Sequence, residues 1–263
     1  MLIISSRRAA FRFISSKILL TFALVPFLLG AATQAAVITK GVPVKIMPLG
    51  DSITEGKGVS TGCGYRKVLQ DLLKSGGYTV TFVGKEDNGQ PENETGCSKG
   101  MENPNHEGYG SARIGMLLGG GTAEKHTALP IAQTMANNAP DVVLLMAGTN
   151  DVFGITATDK MKDTMTKLVE GIFAAKPDVT VVLASIVPIT KVAERNADVD
   201  AYNAVLPDIV AKEKAAGHKI EFADVHAAVG PADLSGDKVH PSAIGYKKMA
   251  GVWYSVLTGE QAP

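Results

Sequence analysis

The chain has 263 residues, 45% of them hydrophobic, which supplies enough apolar surface for a full core and excludes a disordered or fibrous protein. Lys plus Arg and Asp plus Glu stand at 26 each, but the first 36 residues hold four basic side chains and no acid, so the remainder sets 22 basic residues against 26 acidic ones, a net of −4. A mildly acidic body with no basic run argues against a nucleic-acid partner, which is held through clustered positive charge, and points to a neutral or small-molecule substrate.

In chain order, the first segment joins a basic lead (Arg7, Arg8, Arg12, Lys17) to an apolar run from Ile18 to Leu29 and then to the small residues Gly30 to Ala36. This is the pattern of a secretory signal peptide over residues 1–36, with residues 37–263 left as one domain and a secreted or periplasmic location expected. The apolar run is 12 residues long, whereas a membrane-spanning helix needs about 20, so no stable membrane anchor is expected. Cys63 and Cys97 are the only cysteines, and an oxidising compartment lets a lone pair bridge, so a disulfide is expected and a zinc site built on sulfur is not.

From Val44 onward, short β-branched or apolar runs alternate with helix-period stretches, the signature of βαβ units and a largely parallel sheet. The expected strands are Val44 to Leu49, Thr79 to Val83, Asp141 to Ala147, Val179 to Ser185 and Lys219 to Ala223. The third and fourth are almost wholly apolar, as strands buried on both faces should be. The expected helices are Tyr65 to Lys74, Thr122 to Asn138, Thr158 to Ala175, Val199 to Ala215 and Ala243 to Leu257, the last carrying Trp253 into the core. Between Gly84 and about Arg113 lies a segment dense in Gly, Asn, Pro and Glu, expected as a long surface loop and holding the sequon Asn93-Glu94-Thr95.

Four segments collect chemistry. Gly50-Asp51-Ser52 follows the first strand, where an open parallel sheet binds ligands, so Ser52 is a candidate nucleophile; Asp-Ser there also suits a turn or helix cap. The α/β-hydrolase elbow is not matched, because Thr54 stands where its second glycine belongs. His106-Glu107-Gly108-Tyr109-Gly110-Ser111 closes the long loop, and its close glycines can turn backbone N–H groups toward an oxyanion. Asn150 follows the very apolar third strand, where its side-chain NH₂ can serve as a fixed donor. Asp237 precedes His240 by three residues, close enough to hold the imidazole tautomer and leave Nε2 to accept a proton. Each segment alone is also an ordinary turn or surface pair; together they supply a nucleophile, oxyanion donors and an oriented base at one sheet edge.

In this order the four segments resemble the blocks of the SGNH or GDSL-type hydrolase superfamily, from Val44-Lys45-Ile46-Met47-Pro48-Leu49-Gly50-Asp51-Ser52 to Asp237-Lys238-Val239-His240-Pro241-Ser242. Gly77 to Gly84 and His106-Glu107-Gly108 are similar to carbohydrate esterase family 3, which includes acetylxylan esterases. The resemblance implies a flavodoxin-like three-layer α/β/α sandwich with a five-stranded parallel sheet. It implies Ser52 as nucleophile, His240 as general base and acid, Asp237 as its orienting carboxylate, and an oxyanion hole from the N–H of Ser52, a second-block N–H and the side chain of Asn150. The family often reads His-Glu-Gly-x-Ser-Gly in the second block where this chain has Gly110-Ser111, so the donor is Gly110 or Ser111.

The function expected is hydrolysis of short-chain acyl esters, acetyl above all, on a polysaccharide, with no cofactor and no metal. Tyr109 is expected to offer a sugar its aromatic face and His106 to contact substrate, while His126, His218 and His226 are expected in surface or loop roles. Two rivals stand beside it: a lysophospholipase or arylesterase of the same superfamily, and a carbohydrate-binding protein that retains the fold without the chemistry.

Overall fold

A computed structural model describes residues 36–87, 97, 100–124 and 126–263; the expected signal peptide and the sequon at Asn93 lie outside the described residues. The described residues form one compact unit. Its elements run β1 (Val44–Gly50), α1 (Ser52–Glu55), α2 (Gly64–Ser75), β2 (Val80–Phe82), β3 (Glu107–Gly108), α3 (Ile114–Gly119), β4 (Gly120–Ala123), β5 (His126–Pro130) and α4 (Ile131–Asn138). They continue with β6 (Val142–Met146), α5 (Thr149–Phe153), α6 (Thr158–Ala175), β7 (Thr180–Ala184), α7 (Arg195–Ala215), β8 (Lys219–Ala223), α8 (Val225–Ala228) and α9 (Ala243–Thr258).

The strands of the main sheet lie in the order β2-β1-β6-β7-β8, all parallel. This is the doubly wound flavodoxin order, in which the chain leaves β1 in one direction for β2 and crosses back to β6. β6 (VVLLM) is buried along its whole length and β7 nearly so, because helices cover both faces: α2 packs on α9, and α6 packs on α3, α4 and α7. Trp253 is fully buried on α9. Among the described residues, no helix is long and apolar enough to cross a membrane.

Two expectations fail. Residues from Thr122 do not start a helix: β4 and β5 form an antiparallel hairpin, with Thr122 Oγ1 and Thr127 Oγ1 3.0 Å apart, and the helix begins only at Ile131. Pro130 supplies the reason, since it cannot donate within a helix and biases Leu129 toward extended backbone. The long loop is also not structureless at its end. β3 continues the line of β2 along β1, with Leu49 opposite Glu107 and Gly50 opposite Gly108, and a bridge joins Glu86 to His106. Cys63 and Cys97 form the expected disulfide, with Cα atoms 4.9 Å apart.

Candidate active site

The switch point of this sheet lies between β1 and β6, and ligands bind there beyond the strands' carboxyl ends. Ser52 opens α1 immediately after β1, and Asn150 sits in α5 immediately after β6. The Asp51 carboxylate accepts the Ile53 N–H at 2.9 Å and so caps α1; burial pushes that carboxyl up to about 6, against the pull of the Ile53 bond. As the first helical residue, Ser52 has no intrahelical acceptor for its own N–H. The second block is fixed to the same strand by β3 and by the Tyr109 N–H bond to the Gly50 carbonyl at 3.1 Å.

His240 arrives from 188 residues away, and its Nε2 lies 2.8 Å from Ser52 Oγ. Its Nδ1 is 2.6 Å from Asp237 Oδ2. Partial burial pushes the Asp237 carboxyl up, but the N–H groups of His240 and Val239, the imidazole and the Ser235 hydroxyl outweigh it and hold it well below the usual carboxylate range. A cross-brace ties the segment that carries His240 to the turn that carries Ser52. Ser242 caps α9 through the Gly245 N–H, and Tyr246 in the first turn of that helix donates to the carbonyls of Ile53 at 3.2 Å and Lys57 at 2.5 Å.

Ser52, Lys57, Ser111, Glu124, Asn150, Phe153, Lys191, Val239 and His240 line one cleft of about 240 Å³. One Asn150 Nδ2 hydrogen goes to the Ala112 carbonyl at 2.9 Å, which fixes the amide and leaves its second hydrogen for a ligand. Of the two second-block candidates, Ser111 lines the cleft in left-handed backbone (φ 60°), while Gly110 lies beneath the Lys57–Glu124 pair.

Tyr109 and His106, the residues expected to contact substrate, are both buried. Tyr109 is 1% exposed, and its hydroxyl donates to Glu107, a buried carboxylate that also accepts the Lys85 N–H at 2.8 Å and Asn138 Nδ2 at 2.7 Å. His106 is fully buried, its Nδ1 accepts the Gly108 N–H at 3.0 Å, and burial, helped by the Arg66 charge, holds its pKa well below the ordinary value. Both residues fix the loop that carries Ser111 instead of reaching a ligand. His126 is partly buried, held between Glu86 (3.1 Å) and Glu55 (3.5 Å).

Other parts of the site carried weaker signals. Phe153, not Tyr109, is the aromatic residue on the cleft wall. Arg66 is fully buried and donates to the carbonyls of Thr54 (3.1 Å), Glu55 (3.0 Å), Gly62 (3.0 Å) and Pro104, pinning the end of α1. Its signal was an arginine on the apolar face of α2, in register with Leu69 and Leu73.

A switch-point cleft holding a hydroxyl, an imidazole, a carboxylate and an amide in this arrangement places the molecule among the SGNH-type α/β hydrolases. The model of the GDSL-like lipase/acylhydrolase family matches residues 49–248, and the chain belongs to that family of carboxylic ester hydrolases. It is similar to a multidomain esterase of Ruminococcus flavefaciens, 31% identical over 82% of this chain and 28% of that protein. A putative endoglucanase X of Acetivibrio thermocellus is 35% identical over 44% of this chain and 49% of its own length. The chain therefore spans half or less of these two relatives. Among solved structures it resembles a Clostridium thermocellum family 3 carbohydrate esterase (TM-score 0.68, 31% identity, 81% of this chain and 94% of that one). A family 3 carbohydrate esterase from Talaromyces cellulolyticus is as similar in fold (TM-score 0.68, 29% identity, 81% and 96%).

Proposed function

We propose that this chain is an exported esterase that removes acetyl or similarly short acyl groups from carbohydrate. The observation that carries the reading is the unbroken line of hydrogen bonds from Ser52 Oγ through His240 to Asp237 at the mouth of the cleft. In the reaction Ser52 attacks the acyl carbon as His240 Nε2 takes its proton. The imidazolium returns that proton to the leaving alcohol, and water, activated by the same imidazole, then clears the acyl-enzyme. Asp237, ionised and acceptor-only, keeps the His240 Nδ1 proton in place and offsets the imidazolium charge.

The tetrahedral oxyanion is held by the backbone N–H of Ser52, the N–H of Ser111 and the free amide hydrogen of Asn150. Ser111 is preferred to Gly110 because it stands on the cleft wall, in a left-handed conformation (φ 60°) of the kind that favours glycine.

The size of the cleft favours a short acyl group: about 240 Å³ falls below the span of roughly 300–1,000 Å³ typical of drug-sized sites. The family 3 likeness favours a carbohydrate alcohol, and the basic-then-apolar N-terminus together with the disulfide favours export. Acetate release from acetylated xylan, set beside p-nitrophenyl esters from acetyl to octanoyl, tests the reading. Release from xylan and rates that fall with acyl length are expected; rates that rise toward octanoyl would assign the chain to the lysophospholipases or arylesterases.

A further inference from the structure

The β4–β5 hairpin, which the sequence pattern did not reveal, brings Glu124 to the same cleft as Ser52 and His240. There Glu124 Oε2 accepts from Lys57 Nζ at 2.6 Å and Oε1 from Ser111 Oγ at 2.6 Å. Lys57 follows α1 directly, so one edge of the cleft is a ledge of three polar side chains drawn from three separate segments. Lys57 is 35% and Glu124 42% exposed, which leaves their outer faces open to a ligand.

Two features show that this ledge is built. Glu124 and Ser111, bonded to one another, both hold left-handed backbone (φ 52° and 60°), a conformation uncommon outside glycine that persists only where the surroundings fix it. Beneath them Gly110 leaves space that the ion pair fills: a Cβ there would stand 2.5 Å from Lys57 Nζ and 2.8 Å from Glu124 Oε2. The Lys57 ammonium and the Ser111 hydroxyl also hold the Glu124 carboxyl below its ordinary value, so it is an acceptor at neutral pH.

We propose that Glu124, Lys57 and Ser111 form a hydroxyl-binding subsite for the sugar that bears the scissile ester, a reading that rests on the carbohydrate-esterase function above. An apolar acyl methyl placed on this ledge would strip water from an ion pair and return nothing, whereas vicinal hydroxyls can donate to the carboxylate and accept from the ammonium. The apolar side chains of the cleft, Phe153 and Val239, remain for the acyl group and the ring's carbon face. The hairpin thereby selects a polyhydroxylated alcohol over a plain one.

The test compares a mono-O-acetyl methyl xyloside with cyclohexyl acetate, a ring of similar shape without hydroxyls, in the wild-type chain and in Glu124→Ala and Glu124→Gln. The ratio of the two kcat/KM values, xyloside over cyclohexyl, is expected to fall about tenfold in Glu124→Ala, the size produced by losing one hydrogen bond to a charged group, and less in Glu124→Gln. A purely structural hairpin would lower both rates together and leave the ratio within twofold of wild type, which overturns the subsite. Should Glu124→Ala fail to fold, an unchanged ratio in Glu124→Gln overturns it equally. A wild-type protein that hydrolyses cyclohexyl acetate as well as the xyloside overturns the carbohydrate reading itself, and the subsite with it.

Discussion

Gly58 offers a sharp test of how the imidazole is held. It lies in the turn after α1 with φ 96°, and a Cβ on it would stand 2.6 Å from His240 Cβ and 2.7 Å from the Pro241 carbonyl oxygen. In Gly58→Ala the two segments must part by about 0.8 Å to reach ordinary contact, and a misplacement of about 1 Å in a catalytic group costs on the order of 10²-fold in rate. Left-handed backbone at a non-glycine residue adds a stability loss of roughly 1–2 kcal/mol. Steady-state hydrolysis of phenyl acetate, with thermal unfolding on the same sample, reads both effects. The expectation is a folded protein whose kcat falls by about two orders of magnitude with a smaller change in KM, because the cleft walls from the other segments are kept while the proton acceptor has moved. A kcat within twofold of wild type would mean that the close approach of this turn does not set the position of His240.

Three further outcomes follow from the same geometry. Asn150→Ala removes one of the proposed oxyanion donors and is expected to lower kcat by about 10²–10³-fold, measured on phenyl acetate at saturating substrate. Asp51, buried, has its carboxyl raised from 3.8 to about 6, so the native state holds its proton more tightly than the unfolded chain, and its ionisation weakens the fold as pH rises from about 4 to 6. Asp51→Asn keeps a good helix cap, and its stability relative to wild type is expected to rise by about 2–3 kcal/mol between pH 4 and pH 7 in urea unfolding; a pH-independent difference would contradict the assignment. Tyr109→Phe deprives the buried Glu107 of a donor and is expected to cost about 1–3 kcal/mol of stability while KM for an acetylated xyloside stays constant, as measured by thermal unfolding and initial rates.

The strands of the main sheet were legible in the sequence because both faces of β6 and β7 are buried, so their apolar runs are unbroken, that of β6 ending at the turn that carries Asn150. Ser52, Asn150, Asp237 and His240 were legible for a related reason: in a parallel sheet each residue after a strand falls on one edge, and short spacing ties Asp237 to His240. The hairpin was not legible. Gly119-Gly120-Gly121 and Pro130 argue against a helix, yet the polar residues between them match a helix period as well as a strand period, and only the pairing of Thr122 with Thr127 decides. Tyr109 and His106 misled because chemistry-bearing residues beside a site can serve by burial: Tyr109 donates to neighbouring Glu107, and that carboxylate is completed by Asn138, which lies 31 residues further along the chain.

Mass-spectrometric mapping of a fluorophosphonate adduct bears most directly on the central claim, that the hydroxyl of residue 52 is the group the imidazole activates. One phosphonyl group per chain is expected, on the peptide containing Ser52, together with loss of esterase activity, and no adduct on a folded Ser52→Ala variant. A modified residue elsewhere, or ester hydrolysis that survives in that variant, would contradict it.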